Sequence, residues 1–355
     1  MSAPTEIALP DAPASNASSR RPTKVLRWTL VRHLLLVVLA LIVMFILTAA
    51  LPEFRDFQVM EIGYFVCAVA GLTVLTGMNG QLSLGHGALM LIGAYVVALL
   101  QIHLASTPMW LQLVLAVLVT AAFGAVLGAG AARLRGPYLA GATLALAVGL
   151  PSIPTHYTSS LGGSSGLNTS SIVTAPSWLG ASFTQDHYLA WIGSIAAIAT
   201  LLMLGNLRRS GVGRHFRAIR DDEVAARVSG LNVARTQVLA FVVSAGCAGL
   251  AGGLTVLATN SVSPGGFDLT LSVGLLTAVI LGGLGSLTGA VVGSVAIVAL
   301  PSLSSTLVRL TSLSASRGAS VELGIYGLVL IAMMLLAPGG LAGLVRRLRA
   351  TVARP

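Results

Sequence analysis

Between Leu34 and Ala337 the chain passes through ten apolar segments, and almost none of its charged residues fall inside them. A bilayer span needs about 20 apolar residues, with roughly 17 to 25 the usual range. The segments run Leu34 to Ala50, Val59 to Thr76, Leu84 to Leu100, Leu111 to Ala132, Tyr138 to Ile153, Tyr188 to Leu204, Thr236 to Ala258, Leu271 to Leu281, Leu287 to Leu300 and Leu323 to Ala337. Every backbone polar group in hydrocarbon must be satisfied within the protein, so segments of this length are helices. The expected fold is therefore all-α: a polytopic helical membrane protein of about ten spans. Leu271 to Leu281 and Leu287 to Leu300 are short, and the glycine-rich stretch between them also permits one long, broken helix, which sets the range at eight to ten.

Composition excludes the soluble classes. The 355 residues are 55% hydrophobic and 9% charged, against about 25% charged in soluble domains. A net charge of +10 would suit a polyanion if it formed one patch, but the basic residues stand at the ends of apolar segments, so no nucleic acid is implied. With the amino terminus inside and ten crossings, all of the 21 basic residues except Arg55, Arg309 and Arg317 fall on the cytoplasmic side. That is the charge asymmetry of an inner-membrane protein with both termini in the cytoplasm. An odd number of spans would strand the C-terminal arginines on the wrong side.

The first 30 residues, rich in Ala, Pro and Ser, read as a disordered cytoplasmic tail. Residues 31–345 form a single transmembrane domain and 346–355 a basic cytoplasmic tail. Arg20-Arg21 precedes an apolar run too long for a signal sequence and followed by further spans, so it flanks a retained span. Cys67 and Cys247 lie within apolar segments and read as packing residues. The 40 glycines suit helices that approach closely through small side chains.

Two stretches interrupt the apolar pattern with glycine and small polar residues: Gly77 to Gly87 and Gly282 to Gly289. Irregular backbone at membrane depth is tolerated only against protein or a water-filled cavity, so both point inward. They match in part: Gly71 with Gly274, Leu72 with Leu275, Gly80 with Gly283, Ser83 with Ser286 and Leu84 with Leu287. Paired breaks are what a duplicated transporter scaffold displays. Asn79, Gln81, Ser83, His86 and Ser286 are the candidate pathway residues; the cluster around His86 fits either a hydrogen-bonded packing patch or the lining of a solute path. No Asp or Glu sits at a span centre, which argues against a proton- or sodium-driven carrier. No metal-ligand cluster and no paired carboxylates at span ends suggest an enzyme.

The one dense cluster of charge is Arg208 to Arg235, with seven arginines and the run Asp221-Asp222-Glu223. It lies in a cytoplasmic loop, 206–235, that can meet a soluble partner. Acids in the first turn, alanines after them, Arg227 and then Gly230 spell a short surface helix.

At this point the sequence resembles the permease subunits of branched-chain amino acid ABC importers, in particular the M-type partner of the leucine, isoleucine and valine system. The likeness rests on GQLSLGHGALMLIGAY (Gly80 to Tyr95), RLRGPYLAGATLAL (Arg133 to Leu146), LGGSSGL (Leu161 to Leu167), FRAIRDDEVAARVSGLNVARTQVLAFVVSAGCAGLAGGL (Phe216 to Leu254), VILGGLGSLTGAVVGS (Val279 to Ser294) and YGLVLIAMMLLAPGGLAGL (Tyr326 to Leu344). The long Ala/Pro/Ser tail is not a hallmark of that family.

The resemblance implies that Ala218 to Gly230 is a coupling helix seated in a groove of a cytoplasmic ATPase. Arg220, Asp221 and Glu223 would make its polar contacts, with Asp222 beside them among the coupling residues, Ala225 and Ala226 its packing face, and Gly230 its turn. It further implies a sister permease, two ATP-binding subunits that hydrolyse the ATP, and a periplasmic solute-binding protein. The loops Pro154 to His187 and Asn260 to Asp268 would face that protein. Besides lipid, the chain itself would bind no cofactor: it has no GxxxxGK[ST] phosphate loop. Urea or short-amide permeases share the scaffold and remain an alternative, as does a stand-alone carrier or channel.

Overall fold

The structure, a computed structural model, describes residues 53–134, 137–169 and 184–309, with Gly324, Gly327, Leu328 and Ile331. Both tails, the expected span Leu34 to Ala50 and nearly all of Leu323 to Ala337 lie outside the described residues.

Helix α1 (Glu53–Leu72) runs on through a π-helical turn, Thr73–Met78. After an irregular stretch come α2 (His86–His103), α3 (Met109–Ala131) and α4 (Pro137–His156). A small connector holds α5 (Thr158–Leu161) and strand β1 (Leu167–Asn168). Helix α6 (Gln185–Arg209) leads into two short helices, α7 (Gly211–Asp221) and α8 (Glu223–Val228). Helix α9 (Val233–Thr259), strand β2 (Ser261–Val262), α10 (Leu269–Gly282) and α11 (Leu287–Arg309) complete the described chain. Among the described residues seven helices are long and apolar enough to cross a membrane, and the apolar part of α11, Leu287–Ser302, makes a shorter eighth.

Polar caps set the ends of these helices. Asn232 Oδ1 accepts from the Arg235 N–H (3.0 Å) to start α9, and Asp268 Oδ1 accepts from the Leu271 N–H (3.1 Å) to start α10. Arg208 and Arg209 occupy the last turn of α6, where the helix dipole favours cations.

Helix α9 is the axle of the bundle, packed on α1, α2 and α3. In lipid no hydrophobic force draws apolar helices together, so close backbone approach supplies the attraction. Gly93 of α2 therefore rests directly on Gly249 of α9, and Gly252 on the Met90 carbonyl. On the other side, Gly63 of α1 meets the backbone of Gly193 of α6. Helix α3 turns Val114, Leu118 and Val126 outward, as a lipid-facing helix does.

The two short segments flanking the Gly282 break are separate antiparallel helices, not one broken helix: Gly282 packs on Gly289 and Gly293 on Ala278. Gly283 (φ 106°) and Gly285 (φ 76°) make the turn between α10 and α11. At the opposite end of the bundle, β1 pairs with β2 antiparallel, Leu167 facing Val262. This end, called the far end below, joins the loops Pro154 to His187 and Asn260 to Asp268. The end carrying α7 and α8 is called the loop end.

Candidate functional site

The first glycine break is a re-entrant segment. The Asn79 and Gln81 N–H groups bond back to Val74 and Leu75 carbonyls at the end of α1 (both 3.1 Å). The chain then turns inward and climbs. Leu84 N–H reaches Thr143 Oγ1 of α4 (3.0 Å), Gly87 N–H reaches Ser272 Oγ of α10 (3.0 Å), and His86 Nε2 lies 3.0 Å from the Ala68 carbonyl. Since that carbonyl can only accept, Nε2 carries the proton. Ala68 lies well back along α1 from Met78, so α2 begins about 15 Å inside the loop end, at 1.5 Å per helical residue. The backbone donors of Asn79, Gln81, Leu84, Gly85 and Gly87 thus all meet acceptors within the protein, as a segment at membrane depth favours.

The side chains of that segment are less well matched. Asn79, Gln81, Ser83 and His86 are all buried. Among the described residues, both amide atoms of Asn79, Oε1 of Gln81 and Nδ1 of His86 have no partner. Asn79 and Gln81 line a cleft of about 510 Å³ at the loop end, together with Leu139, Ile219, Arg220 and Gln237. Ser83 and His86 lie deeper. Ser286 does not line the cleft; its Oγ accepts from Gly289 N–H (3.2 Å) and caps α11.

The far end holds a smaller cavity of about 190 Å³, lined by Tyr64, Phe65, Met90, Phe267 and Leu271 with Thr255 and Ser263 among its hydroxyls. Met90 is one turn beyond His86. The re-entrant segment thus lies between a cleft open to the loop end and a cavity near the far end. At the far-end starts of α1 and α6, Asp56 and His187 pair at 2.6 Å.

The two breaks meet. Gly77 sits against the backbone of Gly285, with no room for a side chain between them. Arg220 lies over this junction: its Nη1 donates to the Gly77 carbonyl (2.8 Å), and Nε and Nη2 donate to Asp221 Oδ1 (3.1 and 2.9 Å).

The expected coupling helix is in fact two helices. Asp222 breaks it (φ −158°, ψ 107°) and caps α8, its Oδ1 accepting from Val224 N–H (2.8 Å) and Ala225 N–H (3.0 Å). Glu223 pairs with Arg227 one turn on (2.8 Å). Gly230, at φ 84°, closes the helix: its N–H bonds to Arg227 O and that of Leu231 to Ala226 O. Ala226 departs from its expected place on the partner-facing side. It is buried against Ile219 and Val233 of its own chain, with Leu231 packed beside them. Ala225 stays exposed, and the large apolar groups that project are Val224 and Val228, 72% and 84% exposed.

Sequence reasoning missed α7 and the partners of the re-entrant segment. Phe216 and Ile219, buried in an otherwise charged run, stand three residues apart on one helical face, a signal that was there to be read. Thr143, Gln237 and Ser272 sit in ordinary apolar segments, where no local pattern marks them.

Residues 57–338 match the family described as branched-chain amino acid transport system / permease component. The chain belongs to that family. It is 32% identical over 266 residues to the high-affinity branched-chain amino acid transport system permease protein LivM of Salmonella typhimurium, covering 68% of this chain and 61% of that one. It is 30% identical over the same length to LivM of Escherichia coli K12, and 29% identical over 251 residues to LivH of Salmonella typhimurium, covering 66% of this chain and 80% of LivH. The chain thus spans about three fifths of the LivM relatives it matches. No solved structure matches it. Family and fold together make it a multi-pass membrane protein of transport-permease type.

Proposed function

We propose that this chain is a transmembrane subunit of an ATP-binding cassette importer and forms, with a sister permease, the path for branched-chain or related amino acids. The observation that carries this reading is the α7–α8 element: a charged, doubly capped projection at one end of an otherwise apolar bundle, with Val224, Ala225 and Val228 turned out to solvent. An exposed apolar pair framed by charge is what a helix docking in a partner's groove presents. Glu223 and Arg227 frame that face, Asp222 starts the helix and Gly230 ends it.

The partner supplies the nucleotide chemistry. This chain's single lysine, Lys24, is far from any glycine-rich loop, so ATP binding and hydrolysis belong to two cytoplasmic subunits. The loop end is then the cytoplasmic face of the inner membrane, and the joined far-end loops face a periplasmic solute-binding protein. ATP and the loaded binding protein must bind the two states of the permease with different affinities. The far cavity is apolar with hydroxyls, as an aliphatic side chain needs, and Asn79, Gln81 and Gln237 offer neutral amide donors and acceptors at the loop-end cleft.

Such amides also suit urea or a short amide, so the solute is separated by competition. The tagged chain is purified from its membrane with its companions, reconstituted in vesicles, and tested for ATP-driven uptake of labelled leucine against unlabelled valine, urea and acetamide. Co-purifying ATPases and uptake displaced by valine support the reading; displacement by urea alone moves it to the amide permeases. A lone chain that moves solute without ATP overturns it. Val228→Glu puts a charge on the docking face without touching the core, and should release the ATPase while leaving the chain in the membrane.

A further inference from the structure

We infer that Arg220 works inside this chain, as the positioning residue that fastens the charged loop to the re-entrant segment, rather than as a contact for the ATPase; the inference rests on the importer reading above. Two contacts of its own, and one between the glycines it covers, carry the inference. Its Nη1 holds the Gly77 carbonyl at 2.8 Å, the last peptides of the π-helical turn before the chain re-enters the bundle. Its aliphatic stem lies against Gly80, at φ 77°, where a Cβ would stand 2.9 Å from Arg220 Cγ. Gly77 in turn rests on Gly285, the turn of the α10–α11 hairpin. Nη1 also lies 3.7 Å from where a Cβ on Gly285 would stand, so one guanidinium is bonded to the first break and lies beside the second.

The fork is oriented from the loop side. Asp221 Oδ1 takes Nε and Nη2, which fixes the plane of the guanidinium and leaves Nη1 aimed at Gly77. Charge-assisted bonds of this kind are shorter and stronger than neutral ones, and arginine makes them with a rigid geometry. A movement of α7 reaches the Gly77 peptide directly. From there it passes to Asn79 and Gln81, whose N–H groups are bonded to Val74 and Leu75 within the same turn. Those two side chains line the loop-end cleft. Arg220 so connects the element that a partner would move to the segment that closes the cleft, and its contacts explain why glycine stands at 77, 80 and 285.

The test uses the assembled complex in vesicles with the binding protein and labelled leucine, and reads ATP hydrolysis and uptake together for Arg220→Gln, Arg220→Lys and Asp221→Asn. In Arg220→Gln the ATPases stay bound and hydrolysis persists, while leucine moved per ATP falls about tenfold, the scale of one lost charged hydrogen bond. Lysine keeps a donor for Gly77 and restores part of the ratio; Asp221→Asn loosens the fork and lowers it less. A merely structural residue would lower hydrolysis and uptake alike, with no rescue by lysine. An unchanged ratio in Arg220→Gln, loss of the ATPase from that variant, or a lysine variant no better than glutamine overturns the inference. Should Arg220→Gln fail to reach the membrane, Asp221→Asn decides: its carboxylate is two-thirds exposed and not part of the core, and an unchanged ratio there refutes the fork. If the wild-type complex shows no ATP-driven leucine uptake, it is the importer reading that fails instead.

Discussion

Gly249→Ala tests whether the bundle is held by backbone contact through α9. The added Cβ would stand 2.6 Å from Thr120 Cβ and 2.7 Å from the Ala116 carbonyl oxygen of α3. Ordinary contact begins near 3.4 Å, so α3 and α9 must separate by roughly 0.7 Å, enough to forfeit a quarter to a half of each contact's attraction. Thr120 is fully buried, and the clash is with its Cβ, which no side-chain rotation can move. Overpacking of this kind costs about 1–3 kcal/mol. Alanine also gains about 0.8–1 kcal/mol over glycine in a helix, which would mask part of the loss. Gly149→Ala in α4 supplies the correction, because a Cβ there meets nothing within 4 Å and only the helical gain remains. The difference between the two variants is then the packing cost alone. Cys67 and Cys247 are free and buried, so a thiol-reactive dye reports thermal unfolding in detergent. Gly249→Ala should melt below Gly149→Ala by at least about 3 °C. If it melts together with or above Gly149→Ala, helix contact through α9 does not hold the bundle.

Three further outcomes follow from local geometry. Asp222→Ala removes the cap that serves two N–H groups of α8 and should cost about 0.5–2 kcal/mol; hydrogen exchange across residues 223–229 should quicken, and unchanged protection would count against the cap. Gly230→Ala forces a side chain into φ 84° at a cost of about 1–2 kcal/mol, so exchange should quicken there too, with uptake reduced. Ser272→Ala takes the acceptor from the buried Gly87 N–H, a loss of about 1–3 kcal/mol; the melting temperature should drop while ATPase subunits still co-purify, and an unshifted melt would show that Gly87 needs no partner.

Periodicity and charge made most of the spans legible before any coordinates. Apolar runs such as Leu111 to Ala132 became α3 almost unaltered, because a long segment in lipid has no alternative to a helix. The α10–α11 pair was ambiguous for the same reason: two short apolar runs around glycine look alike whether the chain continues or reverses, and only the positive φ of Gly283 and Gly285 separates the cases. Asp222 was read as part of one helix because an acid suits both a first turn and a cap; its own extended backbone decides for the cap. For Ala226 the resemblance implies the partner-facing side, and alanine, which suits either side of a helix, carries nothing in the sequence to contradict it. Arg220 looked like any surface arginine, and its link to Gly77 crosses too much sequence for local pattern to reveal.

The polar break around His86 left two readings open, a packing patch or a solute path, and the pattern of satisfied and unsatisfied groups divides the segment between them. A packing patch is held by its side chains bonding to one another or to the backbone. His86 does so through one of its two ring nitrogens, Nε2 on the Ala68 carbonyl, and the backbone of Leu84 and Gly87 is fastened to Thr143 and Ser272. Nearer the loop end the order is reversed: the Asn79 and Gln81 backbones are bonded, while both Asn79 amide atoms and Gln81 Oε1 are not. A buried polar atom without a partner costs about 1–3 kcal/mol, a burden that a purely structural segment would shed by carrying leucine or alanine at those positions. Amides held in place by their backbone, unpaired and turned to a cleft, favour contact with something that passes. We therefore propose the loop-end half of the segment, Asn79 and Gln81, as the part that meets solute, and the deeper half around His86 as the part that anchors it.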